Sequence, residues 1–402
     1  MVTAPTGYGV NDDTAILQRL INDAVGGGDI LLSGKYRTTA PLLLNTDNVR
    51  LVGPATILRD FASGPTVCIG KPGAYRNTGN GVMGVTFLRT AVTLASSDVA
   101  HIKATACDVL YLDDIRGYDV IEGIHLYGGN SIWMDRINLS GDYSHGARFG
   151  IRASKVTTPD TAELVTSVSL SKAWISGPRV AGFAYPLWVE AAENWSVSDS
   201  YFGQGKFYSV RIEGADHIID LRFDSTYVDA ADKLSGAGDG VYLSGANIRN
   251  VKFSGCPIKG QDGDGRHGIN APSLIDGLVV DESCRIEGWV DTPIAYPGMV
   301  SAASQQDGLA WIGRSGVDRM PVILARPESA PVNYLEVINA NAGSPVRVVG
   351  SGADVHVDIA LQPKGSGRVW AGPYTTHADV AIVGCIELKD STGVVRKVAV
   401  IA

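Results

Sequence analysis

Residues 187–214 read LWVEAAENWSVSDSYFGQGKFYSVRIEG. Apolar-x-apolar triplets occur three times in this stretch, at Leu187/Val189, Trp195/Val197 and Val210/Ile212, with polar residues at the alternate positions. Such a triplet is a short strand with one buried face. The Trp195/Val197 position recurs upstream at Val85/Phe87, Leu110/Leu112, Ile132/Met134 and Val168/Leu170. It recurs downstream at Leu221/Phe223, Val251/Phe253 and Leu278/Val280, with second members 22 to 36 residues apart. A second series interleaves with it in constant order: Ile124/Leu126, Phe149/Ile151, Leu187/Val189, Val210/Ile212, Val241/Leu243 and Ile269/Ala271. Two series in fixed order at a period of a few tens of residues are the mark of a solenoid. The expected fold is all-β, a right-handed parallel β-helix in which each coil is one rung and inward side chains stack on the next rung. An antiparallel sandwich with fortuitous spacing is the alternative.

Composition agrees. The chain has 402 residues, 45% apolar and 19% charged, enough apolar material for a large core. Its 48 glycines are about 12% of the chain against a usual ~7%, so turns are frequent, and glycines such as Gly117, Gly141, Gly177, Gly203 and Gly255 are expected at the rung corners. Upstream, Asp12, Asp13 and Thr14 precede Ile16, Leu17, Leu20, Ile21 and Ala24 at helical spacing, and Gly26–Gly28 follow. This predicts one helix capping the first rung. After residue 300 the repeat is lost, and short strands with a turn at Ser391-Thr392-Gly393 suggest a separate β domain. The expected division is 1–48 for the capping helix and first strands, 49–300 for the β-helix, and 301–402 for a C-terminal trimerisation and capping domain.

Several function classes are disfavoured. With 34 basic against 42 acidic residues and net charge −8, phosphate neutralisation and nucleic-acid binding have no support. Five scattered cysteines without a C-x-x-C pair read as thiols rather than zinc ligands. The seven histidines form no H-E-x-x-H, and G-x-S-x-G, GxGxxG and P-loop patterns do not occur. QDGDGRHG (261–268) lacks the distal glutamate of a calcium loop. No metal or cofactor is expected. No apolar run long enough to span a membrane and no signal-peptide pattern is seen, so synthesis in the cytoplasm without a signal is expected.

GYGVNDDTAILQRLINDA (7–24) resembles the N-terminal signature of the pectate-lyase-like superfamily in its phage-tailspike branch, with Tyr8 or Gly9 where an aspartate is common. NYLEVINA, DIALQPKGSG and ELKDSTGVVRKVAVIA are similar to terminal trimerisation regions of phage tail proteins. The resemblance implies a homotrimer on a virion tail, joined to a tail or baseplate adaptor, that binds and often cleaves a bacterial surface polysaccharide.

The strand register nominates the site independently. Residues between inward ones face outward, which yields one column of His125, Gly150, Trp188, Arg211, Tyr242 and Asn270. A second column holds Tyr127, Arg152, Glu190, Glu213, Ser244 and Pro272. Glu190 and Glu213 are then neighbours one rung apart, suited to act as acid and base or nucleophile in glycoside hydrolysis. Trp188, Tyr242, His125 and Tyr127 offer surface to sugar rings, and Arg152 and Arg211 hold acidic substituents. The plainer reading pairs the two glutamates with Arg152 and Arg211 as surface ion pairs. Asp113 with Asp135, and Asp199 with Asp224, are alternative catalytic pairs from the first series. The insertion 155–164 reads as a plain surface excursion, with a wall of the groove carrying Asp160 and Glu163 as further carboxylates as the alternative. Lyase chemistry, and binding without catalysis, remain open alternatives.

Overall fold

The computed structural model describes residues 1–295 except 6, 71–75, 91–93, 95–97, 142–145, 158–161, 178–182, 215–216, 230–237, 261–264, 274, 282 and 290–293. Beyond 295 it describes four strands. Among the described residues, twenty-six strands form one continuous sheet in which every pairing is parallel and joins one rung to the next. This is a parallel β-helix. No helix among the described residues is long and apolar enough to cross a membrane.

The first series stacks as the alternation requires. Leu110 pairs with Ile132, then Val168, Trp195, Leu221 and Val251 follow on successive rungs. All are buried in one apolar core. Within it Phe223 stacks on Phe253 at 4.9 Å. Trp195, fully enclosed, satisfies its indole by donating Nε1–H to the Val165 carbonyl at 2.9 Å. One member is misplaced: Val85/Phe87 lies over Ala55/Ile57 and leads to the next face, and the residues above Leu110/Leu112 are Asn80 and Val82. Asn80 fits this polar exception by donating to the Thr46 carbonyl at 2.7 Å.

The corners differ from expectation. Of Gly117, Gly141, Gly177, Gly203 and Gly255, only Gly255 has positive φ. One corner is turned by a column of left-handed residues that includes Asn48, Val109, Ser131, Ser167, Asn194, Asp220 and Asn250 (φ 53° to 59°), and a second by Asp114, Arg136, Lys172, Asp199 and Ser225 (φ 46° to 53°). A single left-handed residue between extended stretches bends the chain without a loop, and short polar side chains tolerate it by bonding locally. Asn250 does so across rungs, donating Nδ2–H to Asp220 Oδ1 at 2.8 Å. Glycine is required at Gly277 (φ +73°), where a Cβ would come within 2.4 Å of Asn250 Oδ1.

The expected helix is present at Thr14–Asp23 with Asp13 as N-cap. Asp12 accepts from the Thr14 amide and from Thr39 Oγ1, and Asp13 accepts from the Arg37 amide, which ties the helix start to the neighbouring rungs. Leu17 and Ile21 enter the core, and Gln18 bonds both the amide and the carbonyl of Leu43. The helix thus engages an exposed strand edge. Strands before residue 48 belong to the same sheet: Gly28–Leu31 pairs with Val49–Arg59. By its contacts the chain divides into Met1–Arg326 and Pro327–Ala402, and the expected boundary at 300/301 lies outside the described residues. In the second unit Asn333–Ile338 pairs antiparallel with Arg347–Gly352, and Ile382–Lys389 with Val395–Ile401. The turn expected at Ser391-Thr392-Gly393 lies outside the described residues.

Val109 is the β-branched member of its corner column. Val109→Asn, the residue used at Asn194 and Asn250, is expected to raise the free energy of unfolding by about 1 kcal/mol. Urea denaturation of the two proteins measures it, and an unchanged or lower midpoint would contradict the strain argument.

Candidate functional site

Four short strands, Phe149–Ser154, Tyr185–Val189, Tyr208–Glu213 and Asp239–Ser244, stack above the first residues, Glu122–Tyr127, of the long strand Glu122–Gly141 and present one outward face. Register runs Lys103, His125, Arg152, Trp188, Arg211, Tyr242, Asn270. Arg152 is therefore in the Trp188 column, where Gly150 was expected. Phe149, Ile151 and Ala153 are all buried, so alternation alone leaves this rung undetermined by two residues, a shift that keeps every side chain on its face. The adjacent column holds Tyr127, paired with Ser154, and Glu213, paired with Ser244. Glu190 lies one step past the paired Val189 and Ile212, its amide bonded to Ala153 O at 2.8 Å.

Arg152 and Arg211 enclose Trp188. Their guanidinium carbons lie 4.2 Å and 4.6 Å from its ring centroid, on the rungs either side, and Arg211 also lies 4.5 Å from the Tyr185 ring. Cation–π attraction of this kind contributes about 0.5–2 kcal/mol per contact. Each guanidinium then turns to a carboxylate: Arg152 Nε donates to Glu190 Oε2 at 2.7 Å and Arg211 Nε to Glu213 Oε2 at 2.6 Å. The site is an alternating Glu–Arg–Trp–Arg–Glu cluster, and both glutamates are held as the ion-pair reading describes. Trp188 Nε1 is buried without a partner among the described residues. Tyr208 and Tyr242 stack at 4.4 Å beside Tyr185. At the lower end His125 shares a hydrogen bond with Ser154 Oγ at 2.7 Å and packs by Tyr127. Burial, reinforced by Arg152 and Lys103, pushes the His125 imidazole down to about 3.

The alternative carboxylates serve the second corner. Asp113 and Asp135 are paired neighbours, and the Arg136 guanidinium bridges them at 2.5 and 2.7 Å. Ser171 Oγ adds a bond to Asp135 at 2.6 Å. Asp199 is itself a left-handed corner residue whose amide bonds the Asp224 carbonyl at 3.1 Å. Asp224 continues the Ser198 column one rung on. Of the insertion, Val156–Thr157 and Ala162–Glu163 form a small antiparallel pair, and Glu163 is ion-paired with Arg76 at 3.2 Å. Asp160 lies outside the described residues. No cluster of three metal-ligating side chains occurs among the described residues.

One aromatic column escaped the sequence reading. Trp174, Tyr201 and Tyr227 stack on a third face at 4.2 Å and 5.4 Å. Their signal was present: each directly precedes a buried Ile175, Phe202 or Val228, at spacings of 27 and 26 residues. Strands of two or three residues there are too short for alternation to show.

No protein-family model and no curated protein sequence matches the chain. Among solved structures, the Streptococcus pneumoniae surface adhesin PfbA is similar, with TM-score 0.53 and 11% identity over 87% of this chain and 98% of that one. An Erwinia carotovora polygalacturonase has TM-score 0.41 and 10% identity, covering 71% of this chain and 95% of its own. An Acinetobacter phage tailspike has TM-score 0.41 and 10% identity, covering 79% and 68%. The likeness to the adhesin shows the right-handed parallel β-helix fold.

His125 and the fully buried His101 both titrate at about 3 in the folded chain, burial being the main cause, against ~6.5 when unfolded. Only the unfolded chain takes up protons between these values, so their contribution to stability is complete above pH ~6.5 and declines as pH falls toward about 3. The urea midpoint is expected to drop across that window and His125→Gln to flatten the drop; a midpoint constant from pH 7 to 4 would refute it.

Proposed function

We propose that this protein binds a bacterial surface polysaccharide along the Trp188 face, in the manner of a tailspike or a receptor-binding adhesin. The observation that carries the reading is the Glu190–Arg152–Trp188–Arg211–Glu213 cluster. Its guanidiniums and carboxylates are fixed donors and acceptors at rung spacing, with Tyr242, Tyr127 and His125 continuing the surface in both directions. Trp188 has a guanidinium on each face, so a sugar meets its edge and the polar groups around it. Truncating one charged hydrogen-bonding partner is expected to weaken binding about tenfold or more, so Arg152→Gln and Arg211→Gln should each do so.

Glycosidic hydrolysis by Glu190 and Glu213 is the second reading, favoured by their placement on successive rungs of one column. Hydrolysis needs one carboxyl to carry the leaving-group proton and the other to act as base or nucleophile. Each glutamate accepts from its arginine through Oε2, and a protonated carboxyl keeps acceptor capacity beside its O–H donor, so the arginines can hold the pair in place through the reaction. Lyase action is a variant in which Arg152 or Arg211 neutralises a uronate carboxylate. The resemblance of the terminal segments extends the proposal to a homotrimer on a virion tail, attached through a tail or baseplate adaptor.

Incubation with purified polysaccharides separates these readings. Reducing ends without unsaturated-uronate absorbance indicate hydrolysis, both signals indicate a lyase, and retention on the polysaccharide without either indicates binding alone. Under hydrolysis Glu190→Gln and Glu213→Gln are each expected to abolish cleavage while keeping binding. Two active variants would remove the pair from the mechanism. Unimpaired retention by both arginine variants would remove the face from the site.

A further inference from the structure

A second outward column begins at the N-terminal end. Tyr8, Lys35, Thr56, Thr86 and Arg116 occupy successive rungs. They line, with Asp114, a groove of about 600 Å³. Gly7, Gly34 and Gly84 border the same groove and contribute no side chain to fill it. The next two rungs of the column carry Asn138 and Trp174. None of these residues belongs to the Trp188 face.

The groove's chemistry is specific. Lys35 is exposed and has no ion-pair partner among the described residues. Arg116 is half-exposed and makes one 3.3 Å contact with Asp114, which leaves most of its five donors for a ligand. The two cations stand three rungs apart, about 14 Å at ~4.8 Å per rung, with the Thr56 and Thr86 hydroxyls between them. About 10 Å further along, by the same spacing, is Trp174. Tyr201 stacks on it at 4.2 Å, the residue is 54% exposed, and its neighbour on the other side, Asn138, carries no ring. Trp174 is thus the end of a ring stack, with a free face of the kind Trp188 lacks.

We propose that this groove and the Trp174 ring form a second saccharide-binding track, which takes an acidic oligosaccharide. Uronate carboxylates bind Lys35 and Arg116, ring hydroxyls bond Thr56, Thr86 and Asp114, and a sugar lays its apolar C–H face on Trp174. The track lies parallel to the solenoid axis, so one extended chain passes both the groove and the platform.

The full chain is titrated with an alginate oligosaccharide, a chain of uronic acids, and with a neutral maltooligosaccharide of equal length, by calorimetry and tryptophan fluorescence. Alginate is expected to bind, more weakly as salt is added, and the neutral chain about tenfold less tightly or worse. Lys35→Gln and Arg116→Gln should each weaken alginate binding about tenfold, and Trp174→Ala should weaken it and remove the fluorescence change. All three side chains are outward-facing, and an unchanged thermal melt confirms the fold of each variant. No binding of alginate, equal binding of the neutral chain, or wild-type affinity in both Lys35→Gln and Trp174→Ala overturns the proposal. Loss of alginate binding in Arg152→Gln or Trp188→Ala with Lys35→Gln unaffected also overturns it, and instead supports the site at Trp188.

Discussion

The rung-to-rung hydrogen-bond register is the constraint on which everything else in this molecule rests. Parallel pairing sets each residue beside its counterpart one strand spacing, ~4.8 Å, away. Every position therefore becomes a column, and each column must be self-compatible. Inward columns satisfy this with aliphatic and aromatic residues that pack on their own kind, as Phe223 does on Phe253. Asn80 is admitted to one because its amide reaches a backbone carbonyl. Corner columns satisfy it with left-handed residues on rung after rung, since one rung turning differently would break the pairing of the next.

The same register shapes the outward chemistry. Charges stacked at strand spacing repel or pair, and here they pair: Arg136 bridges Asp113 and Asp135, while Arg152 and Arg211 take Glu190 and Glu213. Rings at strand spacing lie face to face, so an interior ring in a column has both faces covered. Trp188 is closed by two guanidiniums, and Tyr201 lies between Trp174 and Tyr227. Open faces belong to the ends of stacks, of which Trp174 is the clearest case. A count of outward aromatics overstates the platform area available to a sugar, and the position of a ring within its stack decides what it offers.

Much of this was legible from alternation. The columns Trp188–Arg211–Tyr242 and Glu190–Glu213 and the Asp113–Asp135 neighbours follow from apolar-x-apolar spacing alone, and the helix Thr14–Asp23 from apolar residues at helical spacing behind N-cap residues. The departures have separate causes. Period-two alternation identifies a face and leaves the residue along the strand open whenever a third apolar residue extends the run. Phe149–Ile151–Ala153 shifted Arg152 by two, whereas Val85/Phe87 was placed on the wrong face because the residues that stack on Leu110/Leu112 include the polar Asn80. The corners were missed for a different reason. Glycine is the residue most associated with positive φ, whereas Asp, Asn, Ser, Arg and Lys turn most of the corners described here, and nothing in their composition distinguishes them from residues on a solvated strand.

By itself the sequence determined that this chain is a repetitive all-β solenoid with a capping helix, and which side chains face outward, because burial imposes a two-residue period that any reader can count. Only the tertiary structure decided which outward residues meet: that Arg152 shares a column with Trp188, that both glutamates are held by arginines, and that a groove at Lys35 leads toward Trp174. Those outcomes depend on register between strands far apart in the chain, set by corner geometry and insertion length, and neither leaves a periodic mark in the sequence.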